Sequence, residues 1–252
     1  MLGENTDGVG SAHLDKDNKF VIKKWPTSLE KIIEKPASSF EQSFLGHMAG
    51  EGHNGWTIAH LRSASHGVAA MKNTHPFIIN NTWAFVHNGV WRDYNVVKLA
   101  LSKQIKFEGE TDTEVAGHLF AIGGPRAFCQ TIDTAGVFIG LRKDGNLYVV
   151  KTSGALEFDE LEDKRVVGAS DFKQDDFPKA ESVQMGWYYF NKGGKLIKSG
   201  KKETVSSNGI TYYTGGVYST AGDKFLPASD QKKVGDNSLP IGDDEYDSRW
   251  MD

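Results

Sequence analysis

The 252-residue sequence predicts an α+β fold built on antiparallel sheets. Short strand-like runs come first, amphipathic helical stretches occupy the middle, and strand-like runs return afterwards. Residues 135–141 and 147–152 face each other across Lys143-Asp144-Gly145-Asn146, a turn sequence that sends one strand back along the other. Hydrophobic residues at 38% and charged residues at 25% describe an ordinary globular composition, ample for a substantial core.

The elements follow in chain order. Residues 1–10, MLGENTDGVG, are polar and glycine-rich and read as a loop leading into a strand. Phe20–Trp25 reads as a strand paired with 11–14. Residues 26–34 carry Leu29, Ile32 and Ile33 at helical spacing with Ser28 as cap, and 40–47 is a second short helix. Residues 46–55 hold four glycines without the Gly-Lys-Ser/Thr ending of a phosphate loop, and read as a mobile loop flanking the site. Residues 58–64 and Trp83–Gly89 are strands. In the second, Trp83, Phe85 and His87 alternate with Ala84 and Val86, bulky on one face and small on the other. Residues 93–103 form an amphipathic helix with Val96, Val97 and Ala100 on one face. The next helix runs from about 112 to 122; Gly123-Gly124-Pro125 stops it, and Pro125 suits the first turn of another. Residues 165–170 are one more strand. The chain thus divides into a domain over 1–180, a β-rich appendage over 181–221 and an acidic, flexible tail over 222–252, where Trp250 and Met251 would anchor the tail on a partner. Lys192, Lys195, Lys198, Lys201 and Lys202 read as a solvated hairpin face, or else a docking patch for an acidic partner.

Composition excludes several functions. A formal charge of −4 gives no electrostatic case for nucleic acid or anionic membranes. No apolar run is long enough to span a bilayer, and the start has no signal-peptide pattern. The single cysteine, Cys129, fits a reducing compartment, so a cytoplasmic location is expected. Its apolar surroundings read as those of a buried structural thiol. Six of the eight histidines fall between His47 and His87, yet without an H-E-x-x-H spacing or a thiolate partner, so no metal and no cofactor are expected.

Chemistry concentrates in residues 56–114. Asn88-Gly89, at the end of a strand, reads either as a hairpin turn or as an oxyanion hole, with the Asn88 amide and the Gly89 backbone N–H aimed at a developing negative oxygen. Arg62 suits bidentate capture of a carboxylate. His75 lies in the turn Asn73-Thr74-His75-Pro76-Phe77. Thr111 and Glu114 have the spacing of a capping box, and Asp112 sits in the first helical turn, where the dipole favours a carboxylate that faces a ligand ammonium.

The motifs IAHLRSASHG, NTHPF, FVHNG and ETDTEV, with ENTDGVGSA before them, resemble in identity and order the glutaminase domain of class II glutamine amidotransferases, which are N-terminal nucleophile hydrolases. The resemblance covers roughly residues 5–175. It implies a four-layer αββα sandwich, two antiparallel sheets between helical layers. It also implies hydrolysis of glutamine to glutamate and ammonia, the ammonia passing to a synthase site, here in a separate synthase or a larger assembly. By position, Arg62 would bind the glutamine α-carboxylate and Asp112 its α-amino group; Asn88 and Gly89 would form the oxyanion hole, and His75 would lie in the pocket wall. Two positions depart from the pattern. Ser63 stands where several family members have tryptophan. The family's nucleophile is a cysteine at position 1 whose own α-amine is the base, whereas this chain begins Met1-Leu2-Gly3. Two readings follow: a glutamine-hydrolysing enzyme whose cysteine start lies upstream, or a non-catalytic glutamine-binding or structural module.

Overall fold

The computed structural model describes residues 7–27, 55–173 and 175–202, together with the short strands Ser206–Ser207, Ile210–Thr211, Val217–Ser219 and Lys224–Phe225. Nearly all of the helices expected over 26–34 and 40–47, most of the glycine loop and most of the tail lie outside these residues.

Strands β1 (Gly8–Leu14), β2 (Phe20–Trp25) and β3 (Thr57–Arg62) form a three-stranded antiparallel sheet in the order β2-β1-β3. The larger sheet contains β4 (Phe77–Ile79), β5 (Trp83–Gly89), β6 (Gly136–Arg142) and β7 (Leu147–Lys151), ordered β7-β6-β5-β4 at one end and antiparallel throughout. A separate small sheet joins β8 (Glu157–Glu160), β9 (Val166–Ala169) and β10 (Glu181–Ser182). The segment expected as an appendage contributes β11 (Gly186–Phe190) and β12 (Leu196–Lys201). β11 pairs with β7, so these strands extend the large sheet, and Trp187 lies in its core.

Two helices complete the described elements: α1 (Tyr94–Leu101) and α2 (Asp112–Thr131). α2 is broken at Gly124, at φ 70° and ψ 167°, just before Pro125, as the Gly-Gly-Pro run predicts. On α1 the expected apolar face is corrected: Val97 packs inward, while Val96 is 74% exposed. Tyr94, Val97 and Leu101 form the inward stripe instead, a helical spacing the sequence also permits.

Alternation along β5 positions everything else. Trp83 and Phe85 meet Val115, Ala116, Phe120 and Phe128 of α2 on one face, an aromatic core with edge-on contacts near 5 Å. Ala84 and Val86 face the other way, onto Ala12 and Ile58 of the β2-β1-β3 sheet. Among the described residues, helix, large sheet and the β2-β1-β3 sheet therefore stack as successive layers of an α+β sandwich. Among the described residues no helix is long and apolar enough to cross a membrane.

Candidate functional site

The end of β5, the end of β3 and the start of α2 enclose a cavity of about 90 Å³, well above the roughly 10–15 Å³ one water needs. Its lining includes Arg62, Ser63, His75, Asn88, Gly89 and Asp112, so the structure brings every sequence-predicted site residue to one place. Cys129 is not among the lining residues; it is buried in the helix-side core.

The glycines of the Asp7-Gly8-Val9-Gly10 segment explain how β3 reaches the site. Gly8 and Gly10 stand opposite Arg62 and His60 in the β1–β3 register. A β-carbon on Gly10 would lie 1.9 Å from the His75 carbonyl oxygen, and one on Gly8 2.9 Å from Thr74 Oγ1. Only bare backbone lets the His75 segment lie across β1. Asp7 accepts from the Ala64 N–H at 2.8 Å and donates its own N–H to the Arg62 carbonyl at 3.1 Å, pinning the strand end.

Arg62 is 3% exposed. Its Nη2 donates to the carbonyl oxygens of His66 and Gly67, while Nη1 is buried without a hydrogen-bond partner. Burial pulls the guanidinium below its usual value, against the attraction of Asp7 and Asp112; it remains a cation. A buried cation with one unused donor is a group arranged for an anion.

Asp112, also 3% exposed, opens α2 behind Thr111, whose side chain accepts from the Glu114 N–H at 3.4 Å. The return half of the expected capping box is absent. Glu114 reaches past Thr111 and takes the N–H groups of Glu108 and Gly109, each at 2.8 Å, clamping the loop before the helix. Asp112 Oδ2 accepts from the Trp91 N–H at 2.7 Å and lies 3.8 Å from His87 Nδ1.

Asn88 and Gly89 are not a hairpin turn. They are the last residues of β5, paired with Val137 and Gly136 of β6, and the chain continues past Trp91 into α1. A β-carbon on Gly89 would meet the Ala135 carbonyl oxygen at 2.5 Å and His87 Nε2 at 2.6 Å, so the close neighbours of the strand end require glycine.

Three imidazoles the sequence left unassigned to the site surround it. His87 lies flat on Phe138, centroids 4.3 Å apart at 8°. His60 and His75 are 4.1 Å apart, and His66 joins them in the lining. Burial keeps His60, His75 and His87 neutral: His60 is driven to about 3, His75 well below its ordinary value, and His87 to about 4 despite the pull of Asp112. The strand alternation already placed His87 on the helix-facing side; nothing in the sequence pairs it with Asp112. Among the described residues no group of three or more His, Cys, Asp or Glu side chains is arranged to hold a metal ion.

The fold is the α+β sandwich of the N-terminal nucleophile hydrolases. Residues 7–120 match the family model described as class-II glutamine amidotransferases. The glutamine–fructose-6-phosphate aminotransferase (isomerizing) of Wigglesworthia glossinidia brevipalpis is 36% identical over 115 residues, 45% of this chain and 17% of that protein. That of Buchnera aphidicola subsp. Baizongia pistaciae is 30% identical over 165 residues, 59% of this chain and 25% of that protein. The chain therefore spans a quarter or less of the length of these relatives. Among solved structures, the glutamine phosphoribosylpyrophosphate amidotransferase from B. subtilis, complexed with ADP and GMP, shares the fold with a TM-score of 0.57 at 20% identity, over 77% of this chain and 43% of that one.

Proposed function

We propose that the cavity binds glutamine. Arg62 takes the α-carboxylate through its unused Nη1, Asp112 takes the α-ammonium, and His75 forms part of the wall. The Asn88 amide and the Gly89 N–H face the side-chain carbonyl oxygen where charge develops during hydrolysis. The observation that supports this best is convergence: a partly unpartnered buried guanidinium, a first-turn carboxylate and the strand end carrying Asn88-Gly89 all line one cavity.

Hydrolysis needs a thiolate to attack the side-chain amide carbon. The C–N bond then breaks with release of ammonia, and water cleaves the thioester to glutamate and free thiol. Cys129 does not line the cavity, so on this reading turnover belongs to a form with an N-terminal cysteine, and the released ammonia passes to a synthase domain or separate acceptor. The second reading, a non-catalytic glutamine-binding module, is favoured by that same absence of a thiol among the described lining residues. Calorimetric titration with L-glutamine, using D-glutamine as control, tests the pocket; glutamate release separates the two readings. Binding of L-glutamine alone is expected, and equal or no binding of both would overturn the assignment.

A further inference from the structure

The cavity has two walls that come from different parts of the chain. One is the strap over residues 63–70, into whose backbone Arg62 Nη2 is hydrogen-bonded. The other is the turn over 108–111 that leads into Asp112, held from behind by the Glu114 carboxylate. Tyr94 touches both, its O–H donating to the Glu110 carbonyl oxygen at 2.9 Å and its ring lying 5.0 Å from that of His66, and a second side chain hydrogen-bonds to the backbone of both. Asn73 ends a 3-10 turn, Met71–Asn73, and is 0% exposed. Its Nδ2 donates to the Val68 carbonyl oxygen at 3.0 Å on the strap, and its Oδ1 accepts from the Glu110 N–H at 2.9 Å on the turn. The two backbone groups fix which way the amide points, since a carbonyl needs a donor and an N–H needs an acceptor.

Glycines clear the space on both sides. A β-carbon at Gly67, which sits at φ +71°, would stand 2.7 Å from Asn73 Nδ2. One at Gly109 would stand 3.2 Å from Asn73 Oδ1 and 2.6 Å from the Lys72 carbonyl oxygen. The ion pair between Lys72 and Glu110 ties the 3-10 turn that carries Asn73 to the 108–111 turn at the surface. We infer that Asn73 is a positioning residue: it locks the strap that orients Arg62 to the helix start that carries Asp112, and so sets the spacing between the carboxylate-binding and ammonium-binding groups. Naming glutamine as the ligand rests on the reading above; the lock itself does not.

The isosteric Asn73→Asp replacement separates the two links. Above its titration range the new carboxylate still accepts from the Glu110 N–H but opposes the Val68 carbonyl. Once protonated, its O–H donates to that carbonyl and restores the lock. The new carboxyl would be buried, facing the Val68 carbonyl and the Glu110 carboxylate, whose Oε2 lies 3.4 Å from Asn73 Nδ2 and whose charge is only partly offset by Lys72. Both neighbours raise it above the ordinary carboxylate range, so recovery is expected as pH falls from about 8 to about 5.5. Asn73→Ala has no such recovery. In both variants at pH 8, glutamine affinity falls by about tenfold or more, and amides over 64–70 exchange hydrogen about tenfold faster in the ligand-free protein. The comparison variant Asp112→Asn loses affinity with exchange over 64–70 unchanged. Unaltered exchange over 64–70 in Asn73→Asp, or equal loss of affinity at both pH values in both Asn73 variants, overturns the inference. If wild type binds no glutamine, the ligand reading fails, and the exchange measurement alone decides the lock. If Asn73→Asp does not fold, Gly67→Ala, which pushes the strap off an intact Asn73, must speed exchange over 64–70; normal exchange there overturns the lock.

Discussion

Along its inward face the three-stranded sheet presents two different surfaces. At one end Phe20, Ile22, Ala12 and Ile58 press against Ala84, Val86 and Leu141 of the large sheet. At the other end Lys24, Gly10, Gly8, His60 and Arg62 occupy the equivalent positions of the same register. The first surface is filled by side chains and is stabilised by burial. The second is emptied by glycines and occupied by groups held out of water without full pairing, among them His60 Nδ1 and Arg62 Nη1. One layer thus supplies both cohesion and a receptive pocket, and the switch between them is made by residue type at fixed backbone positions.

Acid should break this contrast most strongly. His60 and His87 are neutral in the folded protein, with values of about 3 and about 4, against 6.5 for an unperturbed imidazole. As pH falls, the unfolded chain takes up protons first. Stability is therefore full above about 6.5 and drains below it, toward about 4 for His87 and about 3 for His60. Urea unfolding at pH 7 and pH 4.5 should differ by roughly 4 kcal/mol, and the difference should shrink in His60→Asn. A pH-independent midpoint would show that these rings are not buried neutral.

At the apolar end, Ile58→Ala should cost about 3 kcal/mol of stability while leaving glutamine affinity unchanged. Arg62→Ala at the polar end should reverse the pattern, lowering affinity roughly 100-fold, about 2.7 kcal/mol, by calorimetry. If both variants moved stability and binding together, the two ends would not be separable. The smallest effect belongs to Lys24, whose ammonium lies 5.1 Å from the centre of the Phe77 ring. Burial lowers it to about 8, partly offset by Glu108 and Glu114. Its charge therefore opposes folding below about 8, and the penalty is relieved between about 8 and 10.5. Lys24→Met should raise stability at pH 7 by about 1 kcal/mol and flatten the rise toward pH 10, as read by thermal unfolding across that range.

Much of this was legible in sequence wherever one local rule decided the outcome. Period-2 alternation found β5, and Lys143-Asp144-Gly145-Asn146 found the turn between β6 and β7. Gly123-Gly124-Pro125 marked the break in α2. Motif order drew together Arg62, His75, Asn88, Gly89 and Asp112 before any coordinates. What escaped depends on distant partners. β4 went unread beyond Phe77, which closes the expected turn, because its three residues pair with β5 alone among the described strands. β8 pairs with β9 and β10 and has no strong pattern of its own. Val96 looked like core because propensity on a short helix does not reveal which stripe the neighbour covers. The long reach of Glu114 to Glu108 and Gly109 was hidden behind a familiar spacing that expected a shorter one.

The break in α2 carries a consequence for how the domain tolerates change. Twenty residues of unbroken helix would extend roughly 30 Å, whereas a seven-residue strand such as β5 spans roughly 23 Å. Bending at Gly124 lets the helix as a whole pack against β4, β5, β7 and β11. A β-carbon placed at Gly124 would touch nothing within 4 Å. Extra residues spliced in there would enter open space, which makes this joint a natural point for lengthening the chain without disturbing the half that begins at Asp112.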